Sequence, residues 1–197
     1  MNIPSVPQVV LLFFLGGVFI HFLRAGALVF YSRDMSDERG ALIAEVAFLL
    51  GGTGTLWWLG LFYETIRLAN GIVAAVLLAV SITLYEWARH TIRGRRFGVA
   101  LGDHVPEELC ESGPYRHIRH PIYFSYLVSY LAVFVAIPHW ITLGTLLAAV
   151  ALFTYAARGD EARIAISPLA ADYAGYRKRA GMFWPRFSPA EPGRSTP

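Results

Sequence analysis

Apolar stretches long enough to cross a bilayer recur along the chain, separated by short clusters of charge. A helix needs roughly 20 apolar residues to cross the hydrocarbon layer. The pattern predicts five spans: Val9 to Tyr31, Ala41 to Tyr63, Asn70 to Ala88, Pro121 to Ile137 and His139 to Ala157. The last two, of 17 and 19 residues, lie near the lower limit for crossing, which leaves tilted or re-entrant helices open. Pro138 at their junction predicts a tight helical hairpin. No basic residue precedes the first span, and no small-residue cleavage site leading into a soluble domain follows it, so it reads as a permanent helix. The expected fold is all-α: a polytopic membrane protein with a C-terminal helical hairpin and a cofactor pocket on its cytosolic side.

The basic residues orient this map. Cytoplasmic loops are enriched in Lys and Arg. With the N-terminus outside, fifteen basic residues fall on the inner side, Arg67 alone on the outer side, and Arg24 within the first span. An odd number of crossings also puts segment 89–120 and the basic tail on one face. The chain therefore divides into transmembrane helices over 1–88, a chemistry-bearing region over 89–187 and a Pro-, Gly- and Ser-rich tail over 188–197 that is expected to be disordered. The expected location is a bacterial or archaeal inner membrane.

Composition agrees with the pattern. Of 197 residues 55% are apolar and only 16% charged, against about 25% charged in an ordinary soluble domain. A net charge of +3 on so apolar a chain argues against a nucleic-acid surface. The single cysteine, Cys110, excludes an internal disulfide framework, and its neighbours Glu107, Glu108 and Glu111 disfavour a thiolate. The run Gly51-Gly52-Thr53-Gly54-Thr55 sits in an apolar helix and follows no strand, so it lacks the context of a dinucleotide loop. Small residues there favour close helix packing.

The densest chemistry lies just before the hairpin, in Gly113-Pro114-Tyr115-Arg116-His117-Ile118-Arg119-His120-Pro121-Ile122-Tyr123. Pro121 suits the first turn of a helix and biases His120 toward extended backbone, so a helix is expected to start at the motif. Free N–H groups at a helix start favour an anion, and Arg116 and Arg119 add guanidinium forks that grip a carboxylate or phosphate. The cluster thus reads as an anion clamp at the membrane surface; its plain alternative is positive-inside contact with lipid headgroups. No metal is expected, since Pro121 disrupts the geometry that would align His117 with His120 and no third ligand is evident. Two ionisable groups fall inside the front spans, Arg24 and Glu45, at comparable depth on antiparallel helices. They read as a structural pair or, functionally, as groups holding a substrate headgroup. Glu86 and Arg89 read as a surface ion pair.

The run GPYRHIRHPIY, followed by an apolar hairpin and then Glu161, Tyr173, Tyr176 and Pro185, resembles the isoprenylcysteine carboxyl methyltransferases and their phospholipid-methyltransferase relatives over about residues 93–187. The resemblance implies an S-adenosylmethionine-dependent methyltransferase, with the cofactor enclosed on the cytosolic side and a lipophilic acceptor entering between helices. It would put Tyr115, Arg119, His120, Pro121, Tyr123 and Glu161 at the cofactor. The family's acidic pair corresponds here to Glu161-Ala162 or, after a one-residue slip, to Asp160-Glu161; Leu169-Ala170 replaces its usual Phe-Gly.

The residue chemistry suits that cofactor. S-adenosylmethionine presents an ammonium, a carboxylate, an adenine and a sulfonium, which call for acid, base and aromatic surface together. Glu161 matches the ammonium, the helix start with Arg119 or His120 the carboxylate, and Tyr123 or Trp184 the ring or sulfonium. A carboxylate acceptor needs no base, whereas a thiol or amine would have to lose a proton, to His117 or His120. Catalytic roles are thus expected for Arg119 and His117, and substrate contacts for Arg24, Glu45 and Arg116. Membrane lipids and a lipophilic or prenylated acceptor are the expected partners, a phospholipid amine or small thiol the alternative acceptor. A sterol-reductase-like NADPH enzyme and a non-catalytic lipid-binding protein are the competing readings.

Overall fold

The computed structural model describes residues 16, 66–92 and 108–187. The predicted spans from Val9 to Tyr31 and from Ala41 to Tyr63, with Arg24 and Glu45, and the tail from residue 188 lie outside the described residues. Within them the chain forms four α-helices and no strand: α1 (Leu68–Thr91), α2 (Pro121–Ala136), α3 (Trp140–Ala165) and α4 (Ala170–Arg179). A 3-10 turn, Gly113–Arg116, precedes α2. Helices α1 and α3 are long and apolar enough to cross a membrane; α2 is apolar but shorter.

On α1 the buried residues Ala74, Leu78, Ser81, Tyr85 and Ala88 recur at spacings of three and four, which places them on one helix face. The exposed residues include Leu68, Ile72, Val76 and Val80. A helix apolar all round is stable in lipid or in a core, and not against water. Helix α2 stops at Ala136 because Pro138 pushes Ile137 into extended backbone (φ −130°, ψ 84°). Two residues later His139 starts α3, its Nδ1 accepting the Ile141 N–H at 3.2 Å while its own N–H donates to Thr142 Oγ1 at 3.2 Å. The hairpin expected at Pro138 is thus built from a break and a cap within three residues.

The span expected to end at Ala157 is the first part of a longer helix. Arg158, Asp160, Glu161 and Arg163 continue α3 to Ala165. Its 26 residues rise about 39 Å, more than the roughly 30 Å hydrocarbon layer, so the charged last two turns extend past the apolar run.

An aromatic chain ties three helices together. Tyr85 of α1 lies 5.9 Å from Tyr126 of α2, and Phe153 of α3 lies 5.4 Å from Tyr126 and 5.5 Å from Tyr123, centroid to centroid. Buried Ala132, Ala136, Ala149, Ala156 and Ala157 let the backbones approach. Between α1 and α2 the buried Ser81 Oγ donates to the Ser125 carbonyl at 2.7 Å, an interhelical bond worth about 0.6–2 kcal/mol in an apolar setting.

Two glycines shape the approach to α2. Gly113 adopts φ +56°, and a Cβ there would lie 2.5 Å from Thr91 Oγ1 at the end of α1. Gly181 brings its backbone so close to the Trp184 carbonyl that a Cβ would collide with it. This second close approach lets residues 181–182 pair with the segment before α2: Arg119 N–H donates to Gly181 O at 2.8 Å, His120 N–H to Met182 O at 3.1 Å, and Gly181 N–H to His117 O at 3.0 Å. The segment after α4 is thereby held against the start of α2.

Gly113→Ala is expected to lower the apparent melting temperature of the detergent-purified chain, since left-handed backbone alone costs a non-glycine residue about 1–2 kcal/mol and the Thr91 contact adds to it. Gly144→Ala, where a Cβ meets open space inside α3, should leave that temperature unchanged or raise it.

Candidate functional site

The charged end of α3 meets the start of α2 under α4. Glu161 is buried, and its Oε1 accepts from Arg119 Nε at 2.9 Å, Arg119 Nη2 at 2.9 Å and His120 Nε2 at 3.3 Å. Its other oxygen, Oε2, has Arg177 Nε at 3.6 Å, beyond hydrogen-bond length. The Arg177 side chain is 60% exposed, so the partner of Oε2 stands at the surface while Glu161 itself is buried. Burial alone would raise the Glu161 pKa; the hydrogen bonds from His120 and Arg119, with their charge, outweigh it and hold the carboxyl at about 2.

One residue earlier, Asp160 Oδ2 accepts the Tyr123 hydroxyl at 2.9 Å, and Asp160 Oδ1 pairs with Arg163. Both acids therefore face the start of α2, while Ala162 brings no polar group. His120 stacks on Tyr123, rings 5.5 Å apart and 5° from parallel, and Phe183 stands edge-on to His120 at 6.3 Å. This order places an aromatic wall beside a buried carboxylate.

Arg119 turns inward. Besides Glu161, it donates through Nη1 to the carbonyls of Ala180 and, at 3.4 Å, Arg177. A guanidinium at the last carbonyls of α4 complements the negative end of the helix dipole and satisfies acceptors that have no partner inside the helix. Most of its five N–H groups are therefore used within the protein.

Tyr173 was named only as part of the motif resemblance, yet it faces this cluster. It is buried, and its hydroxyl lacks a hydrogen bond of acceptable geometry. Burial first, then the nearby Glu161 carboxylate, pushes its pKa well above the ordinary phenol value. Tyr173 and Arg177 are four apart on α4 and share a helix face, the signal by which both could have been linked to Glu161.

Other expected residues lie apart from Glu161. His117 Nδ1 is 3.1 Å from the Arg186 carbonyl, which only accepts, so Nδ1 is the donor there and, in the neutral imidazole, Nε2 is the acceptor. The Phe187 ring packs on the same imidazole at 4.9 Å. The Tyr115 carbonyl accepts the Tyr176 hydroxyl at 2.6 Å, and the Tyr115 phenol is raised in pKa by burial and then by Cys110 and Tyr85. Pro121 is buried at the first position of α2, and Arg116 is exposed. Arg89 and Glu86 form the expected ion pair at 2.7 Å. Among the described residues no group of three or more His, Cys, Asp and Glu side chains is placed to hold a metal ion.

A folded-state carboxyl held near 2, below the ordinary 4.5, stabilises the fold fully above about pH 4.5, and this contribution is lost as the pH falls toward 2. The apparent melting temperature of the native chain should fall across that interval. Glu161→Gln should flatten the profile and, by leaving Arg119 buried without its counter-charge, remove about 3 kcal/mol at pH 7. Equal acid sensitivity of the two proteins would refute this assignment.

Comparison with curated proteins and with solved structures returned no match. Comparison with family models did: over residues 67–162, just under half of the chain and from the start of α1 through the Glu161 centre, the sequence matches the phospholipid methyltransferase family, a family of membrane methyltransferases.

Proposed function

We propose that this chain transfers a methyl group from S-adenosylmethionine to a lipophilic or amphipathic acceptor at the cytosolic face of a membrane. The observation that carries the reading is the buried Glu161 carboxylate, held by Arg119 and His120 and facing the unsatisfied Tyr173 hydroxyl, on a segment that matches a methyltransferase family.

The side chains fit the donor's groups. Glu161 Oε2 and the Tyr173 oxygen are acceptors suited to its ammonium. Arg177, already near Oε2 and otherwise exposed, is free to exchange that contact for the donor's carboxylate. The His120–Tyr123 stack and the edge of Phe183 offer aromatic surface to sulfonium or adenine. Arg119 keeps Glu161 ionised and fixes α4 over it, a positioning role in place of the anion clamp that its sequence position suggests. When bound, the donor supplies a methyl group on positively charged sulfur; the protein's contribution is alignment and exclusion of water. An isoprenylcysteine-like carboxylate would need no base. A phospholipid amine or small thiol would have to give up a proton, for which His117 Nε2 has the available lone pair. Arg24 and Glu45 remain candidates for the acceptor's headgroup.

Isothermal calorimetry on detergent-purified, folded protein separates the readings. S-adenosylmethionine and S-adenosylhomocysteine should bind and NADPH should not. Removing a charged hydrogen bond should cost roughly 10–100-fold, so Glu161→Ala should weaken donor binding by about that factor. Tyr173→Phe should weaken it about 2–10-fold, as expected for a neutral partner, and the exposed Lys178→Ala should not change it. Absence of heat with both sulfur ligands would remove the methyltransferase reading, and heat with NADPH would favour a reductase.

A further inference from the structure

A second surface, separate from the Glu161 cluster, lies on the segment after α4. Arg186 N–H donates to the His117 carbonyl at 3.1 Å, and His117 Nδ1 donates to the Arg186 carbonyl at 3.1 Å. These two bonds join Arg186 to His117, the residue that follows Arg116. Both arginines are exposed, and neither side chain pairs with a carboxylate among the described residues. Flanking Arg186 are two large aromatic residues, Trp184 and Phe187, each 77% exposed.

Their height on the molecule is set by two contacts, one of them between Phe187 and the His117 ring just before α2. The Trp184 ring lies 5.7 Å from Phe124, in the first turn of the apolar helix α2. The aromatic pair thus stands level with the point where the chain changes from charged loop to apolar helix. Against water, such a surface leaves two large rings uncovered. At a bilayer boundary the same rings sit among headgroups, and guanidinium groups meet phosphate in two-point hydrogen bonds. The backbone pairing of residues 117–120 with 181–186 presents the surface already formed.

We infer that Arg116, Arg186, Trp184 and Phe187 form a docking surface for acidic phospholipid headgroups, which fixes the depth of this end of the protein in the membrane. The occupant is a membrane lipid: a free anion would account for the arginines alone, and a soluble protein or nucleic acid would have no need of the level set by Phe124. The surface stands whether or not the chain transfers methyl groups.

The test uses the full chain reconstituted in phosphatidylcholine bilayers containing a small, equal fraction of either phosphatidylglycerol or phosphatidylcholine that carries a spin label close to the headgroup. The Trp184 signal is the difference in tryptophan fluorescence between the native chain and Trp184→Phe. Labelled phosphatidylglycerol should quench this signal with an apparent association constant about threefold or more above that of labelled phosphatidylcholine, and 0.5 M NaCl should abolish the difference. R116E combined with R186E should abolish it too, with R116Q and R186Q as milder substitutes should the reversals not fold. Equal quenching by both lipids at low salt, no quenching of Trp184, or a preference that survives high salt would overturn the inference. Donor calorimetry on the native chain in the same bilayers keeps the two readings apart: no lipid preference with donor binding intact defeats only this one, and a lipid preference without donor binding defeats only the methyltransferase reading.

Discussion

A carboxylate removed from water has to be compensated where it lies, because desolvating an ion costs several kcal/mol even after the protein relaxes. Glu161 meets that demand with partners from two other parts of the chain: Arg119 and His120 ahead of α2, and Arg177 on α4. Arg119 then carries the constraint onward, since the guanidinium that neutralises Glu161 also donates to the last carbonyls of α4. One buried ion pair thereby joins the loop, the end of α3 and the short helix α4, beside the Tyr176–Tyr115 bond and the Arg179–Glu111 pair that also tie α4 to the loop. Among the ten residues of α4 only Tyr173 and Tyr176 are buried, joined by Ala180 just after it, so the helix has little apolar surface of its own to anchor it.

The same arrangement separates two jobs that arginine does in one motif. Arg119 is buried and committed to internal partners, whereas Arg116, three residues earlier, is exposed. Residue type alone does not distinguish them. The difference comes from backbone pairing: Arg119 N–H and His120 N–H are bonded to residues 181–182, which directs this part of the loop beneath α4, while Arg116 ends a 3-10 turn at the surface.

Much of this was legible wherever the determinant is local. Pro121 and Pro138 mark the ends of α2 within a residue, because a missing N–H and a restricted preceding residue act at once on the backbone. The meeting of Arg119 and His120 with Glu161, about forty residues on, follows from the family resemblance and not from any local pattern. The length of α3 was not legible, since a hydropathy pattern ends at the first charge, Arg158, whereas a helix continues as long as its backbone bonds do. Nor was the use of Arg119 on α4, because its partners there are carbonyl oxygens, which every residue carries and no sequence pattern marks.

The acidic pair shows how structure resolves an ambiguity of spacing. Counting from Tyr173 pointed to Glu161-Ala162, and a one-residue slip to Asp160-Glu161. Successive helical residues point about 100° apart, which at first sight argues against neighbours sharing a site. Their targets differ, however. Glu161 reaches back to Arg119 and His120, ahead of the helix, and Asp160 reaches Tyr123 inside its first turn. Because His120 also stacks on Tyr123, each acid holds the polar edge of one ring of a stacked pair, and the position of each ring depends on both. A change at Asp160 would therefore be felt at Glu161 through the ring stack, although the two carboxylates need share no ligand.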